Sequence, residues 1–150
     1  MIAQGSEEKV MQKIIQEEDA LVGDFDESYK HLAFKHILGL LWATKNCPND
    51  GRIIKMDDDI GVDIPKMIIK SLDVENIGGW IHEKMTVRRK ASKWSLTKDE
   101  YKYDIYPDFV SGWAYAMDMK SAKKIVKLGL EKFNGNLWID DVWITGKNLL

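Results

Sequence analysis

A single cysteine, Cys47, stands among 150 residues, so no intrachain disulfide can form and no multi-cysteine metal site can be assembled. Charge of one sign is scarce too. The 22 Lys and Arg oppose 24 Asp and Glu for a formal charge of -2, and no basic stripe invites nucleic acid. Long apolar runs are missing: Ile37-Leu38-Gly39-Leu40-Leu41-Trp42-Ala43 is far too short to span a bilayer. Gln4, Gly5, Glu7 and Glu8 stand where a secretory leader would be apolar, so the chain shows no address or anchor. Gly-rich phosphate loops, Gly-x-Ser-x-Gly elbows and zinc motifs are also missing. Core-forming side chains are plentiful: 45% of residues are apolar, with six Trp, five Tyr and four Phe, which excludes a disordered chain. The length suits one compact domain, or part of one.

Ser6-Glu7-Glu8 opens a first amphipathic helix, with Val10, Met11, Ile14 and Ile15 on one face, predicted to reach about Glu18. A second helix is predicted from Ser28, its apolar side marked by Leu32, Ala33, His36, Ile37, Leu40 and Leu41, ending in the turn at 46–51. Gly51 releases the chain into a strand over 52–56. Asp63 caps a third helix with Pro65 in its first turn and Met67, Ile68 and Leu72 directed inward. Residues 77–106 read as short strands and loops, with an alternating stretch through Trp94. Asp118 or Ser121 starts a further helix that turns Ala122, Ile125, Val126 and Leu130 inward and stops at Asn134-Gly135-Asn136. A last short helix begins near Asp140. This alternation predicts a layered α/β domain, in which ligands bind beyond the carboxyl ends of the strands.

The stretch "KMDDDIGVD", residues 55–63, puts Asp57, Asp58 and Asp59 at such a strand end. Three adjacent carboxylates repel one another unless they are solvated, protonated or neutralised by a cation. A solvated acidic turn is one reading. The other is a hard divalent ion, Mg2+ or Mn2+, held by Asp57 and Asp59, which share one side of an extended segment, with positions left for phosphate oxygens. Asp140-Asp141 interrupts the apolar stretch from Leu137 to Ile144, either as a helix cap or as a general base in partly apolar surroundings. His36 reads as packed against its helix neighbours, His82 as a loop residue and Cys47 as structural.

Taken together, four segments resemble the inverting β-1,3-glycosyltransferases of the galactosyltransferase and N-acetylglucosaminyltransferase type. "GDFDESYKHLAFKHILGLLWATKNC", residues 23–47, is similar to that family's Asp-Phe-x-Asp-Ser-Tyr-x-Asn-Leu-Thr-x-Lys stretch leading to a Trp and a Cys. "KMDDDIGVD" resembles its Lys-x-Asp-Asp-Asp metal motif. Arg88, Lys93, Trp94, Tyr106, Pro107, Ser111, Gly112 and Tyr115 match its Arg-x-x-x-x-Lys-Trp and Tyr-Pro-x-Tyr-x-Ser-Gly-x-x-Tyr segments, and "DDVWITG", residues 140–146, its Glu/Asp-Asp-Val-x-x-Gly motif. The likeness covers about residues 20–146.

The resemblance implies a GT-A nucleotide-sugar transferase fold, a Rossmann-like mixed sheet flanked by helices. It implies transfer of galactose or an N-acetylhexosamine from a UDP-sugar to a glycan hydroxyl, assisted by Mn2+ or Mg2+, in the Golgi lumen. Asp59 would be the direct metal ligand and Asp57 a second, with Asp57, Asp58, Arg88 and Lys93 toward the nucleotide. Asp141 would be the catalytic base, and Asp140, Ser111, Gly112, Trp113 and Tyr115 would meet the substrate sugars; Arg89 and Lys90 read as solvated surface charge. The sequence departs from the family where Val110 replaces a cysteine, leaving Cys47 without its partner, and where His31 and Ala33 replace Asn and Thr. Against the family pattern the chain reads as a single partial catalytic domain, truncated at both termini and without the first strand; membrane association would need an anchor outside it. Two other functions fit the residues: a non-catalytic glycan- or partner-binding module, and a Mg2+-dependent phosphate hydrolase built on the Asp triplet.

Overall fold

The computed structural model describes residues 14–17, 20–23, 25, 28–90 and 92–146. A two-stranded antiparallel hairpin comes first, β1 at Ile14–Glu17 and β2 at Ala20–Gly23. This corrects the helix predicted to reach Glu18; its earlier part lies outside the described residues. Adjacent β-branched Ile14 and Ile15 suit a strand as well as a helix face, and the partner Ala20–Gly23 decides between them.

Ser28 accepts a hydrogen bond from the Lys30 amide (3.2 Å) and starts a tight 3-10 turn, Tyr29–His31, which runs into α1, Leu32–Asn46. Of its predicted apolar side Ala33, Ile37, Leu40 and Leu41 are buried and Leu32 and His36 half-buried, and Leu38 is buried as well. Strand β3, Arg52–Met56, forms where expected. Helix α2, Ile64–Ser71, is capped by Asp63, which accepts from the Lys66 amide at 3.0 Å. Of the predicted inward residues Met67 is half-buried, but Ile68 is exposed, as is Leu72 at 63%. Periodicity reveals an apolar stripe but not whether a neighbour reaches it.

Strands β4, Ile77–His82, and β5, Phe109–Asp118, complete a three-stranded sheet in the order β3-β5-β4. Both pairings are antiparallel, so the described residues hold no mixed, Rossmann-like sheet. Alternation of apolar residues marks a strand without fixing its partner or direction. Here β5 is reached through the irregular stretch 83–108 and not through a crossover helix, so it returns antiparallel. Gly79 faces Tyr115 while Ile81 faces Val110, so β5 bulges around Ser111, Gly112 and Trp113. At Gly79 an added Cβ would lie 2.5 Å from Val110 Cγ1 and 2.9 Å from Tyr115 Cβ. Gly79→Ala should therefore cost about 1–3 kcal/mol, measured by urea unfolding.

Asp118 caps α3, Met119–Lys132, by accepting from the Ser121 amide (2.7 Å), and its other oxygen accepts from the Asn76 amide (2.9 Å). Ala122, Ile125 and Val126 are buried as predicted, and Gly135, at φ +82°, turns the chain away after the helix. Helix α4, Asp140–Thr145, follows. One core lies where α1, α3 and α4 pack on β5, around Ile37, Leu41, Met117, Ile125 and Ile144. A second gathers Val87, Leu96, Tyr106, Phe109, Trp138 and Val142 beneath the irregular stretch.

That stretch is not the alternating strand predicted through Trp94. Its only bridge among the described residues is Thr86 with Ile105, and its fastening is Arg89. The guanidinium donates to the carbonyls of Leu96 (3.1 Å), Thr97 (2.9 Å), Tyr101 (3.0 Å) and Tyr103. Arg89 is thus an internal staple and not a solvated charge, because five fixed donors can serve several loop carbonyls at once.

Candidate active site

The bulge of β5 faces the first turn of α4 across a cavity of about 550 Å3, which the end of β3, α1 and part of the irregular stretch also enclose. Asp140 and Asp141 stand in the first turn of α4, where the positive end of the helix dipole favours carboxylates. The N-cap position is held by Ile139, and not by either aspartate as the capping reading expected. Asp141 Oδ2 accepts from the Gly112 amide (3.2 Å) and Oδ1 from the Val142 amide (2.8 Å).

Burial and the charge of Asp140 push the Asp141 carboxyl up to about 6, against the pull of those two amides and of Lys55. Burial also lifts Asp140, but the hydrogen bond and charge of His36, the charge of Lys55 and the Asp141 amide outweigh it, so Asp140 ends below the ordinary carboxylate range. Neighbouring carboxyls are thereby divided into one that keeps its charge and one with a higher affinity for a proton, the pattern of an acid–base pair.

Lys55 Nζ donates to Asp57 Oδ1 (2.5 Å) and to the Gly112 carbonyl. Asp57 lines the cavity, and its amide donates to the Trp113 carbonyl (2.9 Å), extending the β3–β5 ladder by one residue. Asp58 and Asp59 occupy an exposed turn and do not line the cavity, so the triplet is not extended as the same-side argument assumed. Among the described residues no three His, Cys, Asp or Glu side chains converge on one point. Carboxylates at an exposed turn still suit a hard ion that completes its oxygen shell from phosphate, as Mg2+ commonly does.

Of the other predicted site residues, Arg88, Ser111, Gly112 and Trp113 line the cavity, Trp113 being 66% exposed. Lys93 lies outside it, donating to the Tyr29 hydroxyl (3.2 Å) above the Tyr29 ring. Tyr115 is 1% exposed, inside the core, with its hydroxyl on His36, so its ring is not open to a sugar.

Three lining residues escaped the sequence reading of the site. His36 bonds Asp140 and Tyr115 and does not merely pack within its helix. His82 belongs to β4 and not to a loop, with its ring 5.0 Å from that of Phe109. Tyr106 buries a hydroxyl that has no hydrogen-bond partner among the described residues. Only Tyr106 carried a signal, as part of the Tyr-Pro motif.

A carboxylate of raised proton affinity thus lies in a cleft walled by Trp94, Trp113 and Tyr106, an arrangement that can accept a proton from a bound polar group. The chain belongs to the galactosyltransferase family, whose profile matches residues 2–150. A Rattus norvegicus lactosylceramide 1,3-N-acetyl-beta-D-glucosaminyltransferase is 32% identical over 145 residues, covering 92% of this chain and 37% of that protein. The Homo sapiens protein of the same name is 30% identical over 133 residues, covering 84% and 35%. Beta-1,3-galactosyltransferase 1 of Mus musculus is 30% identical over 132 residues, covering 84% and 40%. The chain spans well under half the length of these relatives.

Proposed function

We propose that the chain takes part in transferring galactose or an N-acetylhexosamine from a UDP-sugar to a glycan hydroxyl, with inversion, and that its fold is of the GT-A type. The observation that carries this reading is the buried Asp141 carboxyl, raised to about 6 beside a charged Asp140. Asp141 takes the proton of the acceptor hydroxyl as that oxygen bonds the anomeric carbon, while the bond to UDP breaks on the opposite face. Trp113 stacks on an apolar sugar face, with Ser111, Gly112 and Asp140 framing the hydroxyl and Arg88 facing the diphosphate. Asp59 and Asp57 would hold Mn2+ or Mg2+, which when bound supplies positive charge for the departing diphosphate. Asp58 and Lys93 lie further out, on the nucleotide side of this reading. The Golgi lumen is the compartment that goes with such a transferase; no helix among the described residues is long and apolar enough to cross a membrane.

One observation favours a second reading, a glycan- or partner-binding module without turnover: Asp57 is already paired with Lys55. Calorimetric titration of UDP with Mn2+ and with chelator separates the two. Metal-dependent UDP binding that weakens at least about tenfold, or about 1.4 kcal/mol, in Asp59→Ala and in Asp57→Ala is the expected result. Folded protein that binds glycan but no UDP under either condition would leave the binding module as the account.

A further inference from the structure

Between α1 and α4 lies a hydrogen-bonded chain of three side chains from elements far apart in sequence. Tyr115, from the centre of β5, places its hydroxyl 2.5 Å from His36 Nε2. The same ring places Nδ1 3.1 Å from Asp140 Oδ2. Solvent is nearly excluded: the side chains of His36 and Asp140 are 8% and 16% exposed, and Tyr115 is 1% exposed.

The donors run in one direction. An ionised carboxylate only accepts, so Nδ1 carries a hydrogen and donates it to Asp140. On a ring that carries only this hydrogen, Nε2 is the acceptor left for the Tyr115 hydroxyl. Burial and the charges of Asp140 and Asp141 hold that phenol well above its ordinary range, so it keeps the proton it donates. Of the two neutral tautomers, this one alone satisfies both contacts.

We propose that His36 is a positioning residue: bonded to Tyr115 and Asp140 at once, it pins the Asp140 carboxylate against α1 and leaves Asp141 as the one carboxylate free to take the acceptor proton. This rests on the reading of Asp141 as the base. Asp140 is faced by His36 from α1, Lys55 from β3, Tyr115 from β5 and Asp141 from its own helix. Lys35, Asp57 and Arg88 complete the charged lining of the cavity. Of these, His36 is the group that donates a side-chain hydrogen bond to Asp140. Without it the two adjacent carboxyls would titrate as a coupled pair.

The amides of asparagine and glutamine separate the two bonds, since the first reaches the place of Nδ1 and the second the place of Nε2. Nitrogen-15 NMR of the imidazole in the whole chain should show the Nδ1–H tautomer. Carbon-13 NMR of the carboxyls should show Asp141 titrating near 6 with Asp140 well below it. In His36→Asn that pattern should persist; in His36→Gln the upper step should move up by about one pH unit, a tenfold change in proton affinity. Should His36→Gln fail to fold, Tyr115→Phe removes only the hydroxyl, and the Asp140 carboxylate should still hold the hydrogen on Nδ1. An Nε2–H tautomer in the parent or in Tyr115→Phe overturns the proposal, as does a His36→Gln titration superimposed on the parent. None of these readouts needs transfer activity, so a transfer assay of Asp141→Asn that found full activity would sink the base reading separately.

Discussion

Asp141→Asn is expected to lower transfer by about 10²–10⁴-fold, the usual worth of a general base, and at the same time to make the fold more stable above pH 6. The stability argument follows from proton binding. A carboxyl at about 6 when folded, against an ordinary 3.8, binds more protons in the folded chain than in the unfolded one between those values. Stability from this group therefore falls as pH rises through that window. Above it, the buried charge costs on the order of 3 kcal/mol. Asparagine removes that charge and keeps the acceptor for the Val142 amide, but it turns an amide donor toward the Gly112 N–H, which returns part of the gain.

A net stabilisation of about 1–2 kcal/mol at pH 8, lost near pH 5 and turned into a destabilisation of about 1 kcal/mol at pH 4, is the result to look for in urea unfolding at these pH values. Asp140, depressed in the folded state, works the other way: its contribution is present at neutral pH and lost as acid protonates it. Transfer by the parent should rise through about pH 6 as Asp141 deprotonates. A variant no more stable than the parent at pH 8 would contradict the burial argument, whatever its activity.

Arg89→Ala should be the most damaging change outside the cores. Four carbonyls from residues 96 to 103 converge on one guanidinium. Hydrogen bonds to a charged donor are worth about 1.5–3 kcal/mol each where shielded and less where water substitutes. Several of these sites are open to water, so a total of about 3 kcal/mol is expected, or about 10 °C in Tm for a chain of this size. Arg89→Lys should recover little, because one ammonium cannot reach carbonyls spread around a planar fork. Thermal unfolding of both variants checks this; equal Tm values for Lys and Arg would show that charge alone fastens the loop.

Elements with a local signature were legible in the sequence. The apolar side of α1, strand β3 and the caps Asp63 and Asp118 each follow from residues within a few positions of one another. The site was legible to the extent that acidic residues interrupt apolar runs, which drew attention to Asp57 and Asp141. What was not legible depends on partners distant in the chain. β3 pairs with a strand some sixty residues later, and no pattern in 52–56 states that the pairing is antiparallel. His36 sits at an apolar position of α1, where periodicity reads a core residue; only the arrival of Asp140 and Tyr115 gives its ring two partners. Arg89 looks like any surface arginine until the loop closes around it. The hairpin at Ile14–Glu17 was missed because four residues are too few for a period to decide.

Gly112 is held on both sides of its Cα, its carbonyl by the Lys55 ammonium and its amide by the Asp141 carboxylate, while the same ammonium holds Asp57. Three contacts in series leave little slack between the acidic turn and the base. Glycine is what permits so tight a linkage, because a methyl group there would come within 3.3 Å of Asp141 Cβ. The two ends of the cleft, the acidic turn and the raised carboxyl, are thus joined through one residue by one ammonium and one carboxylate.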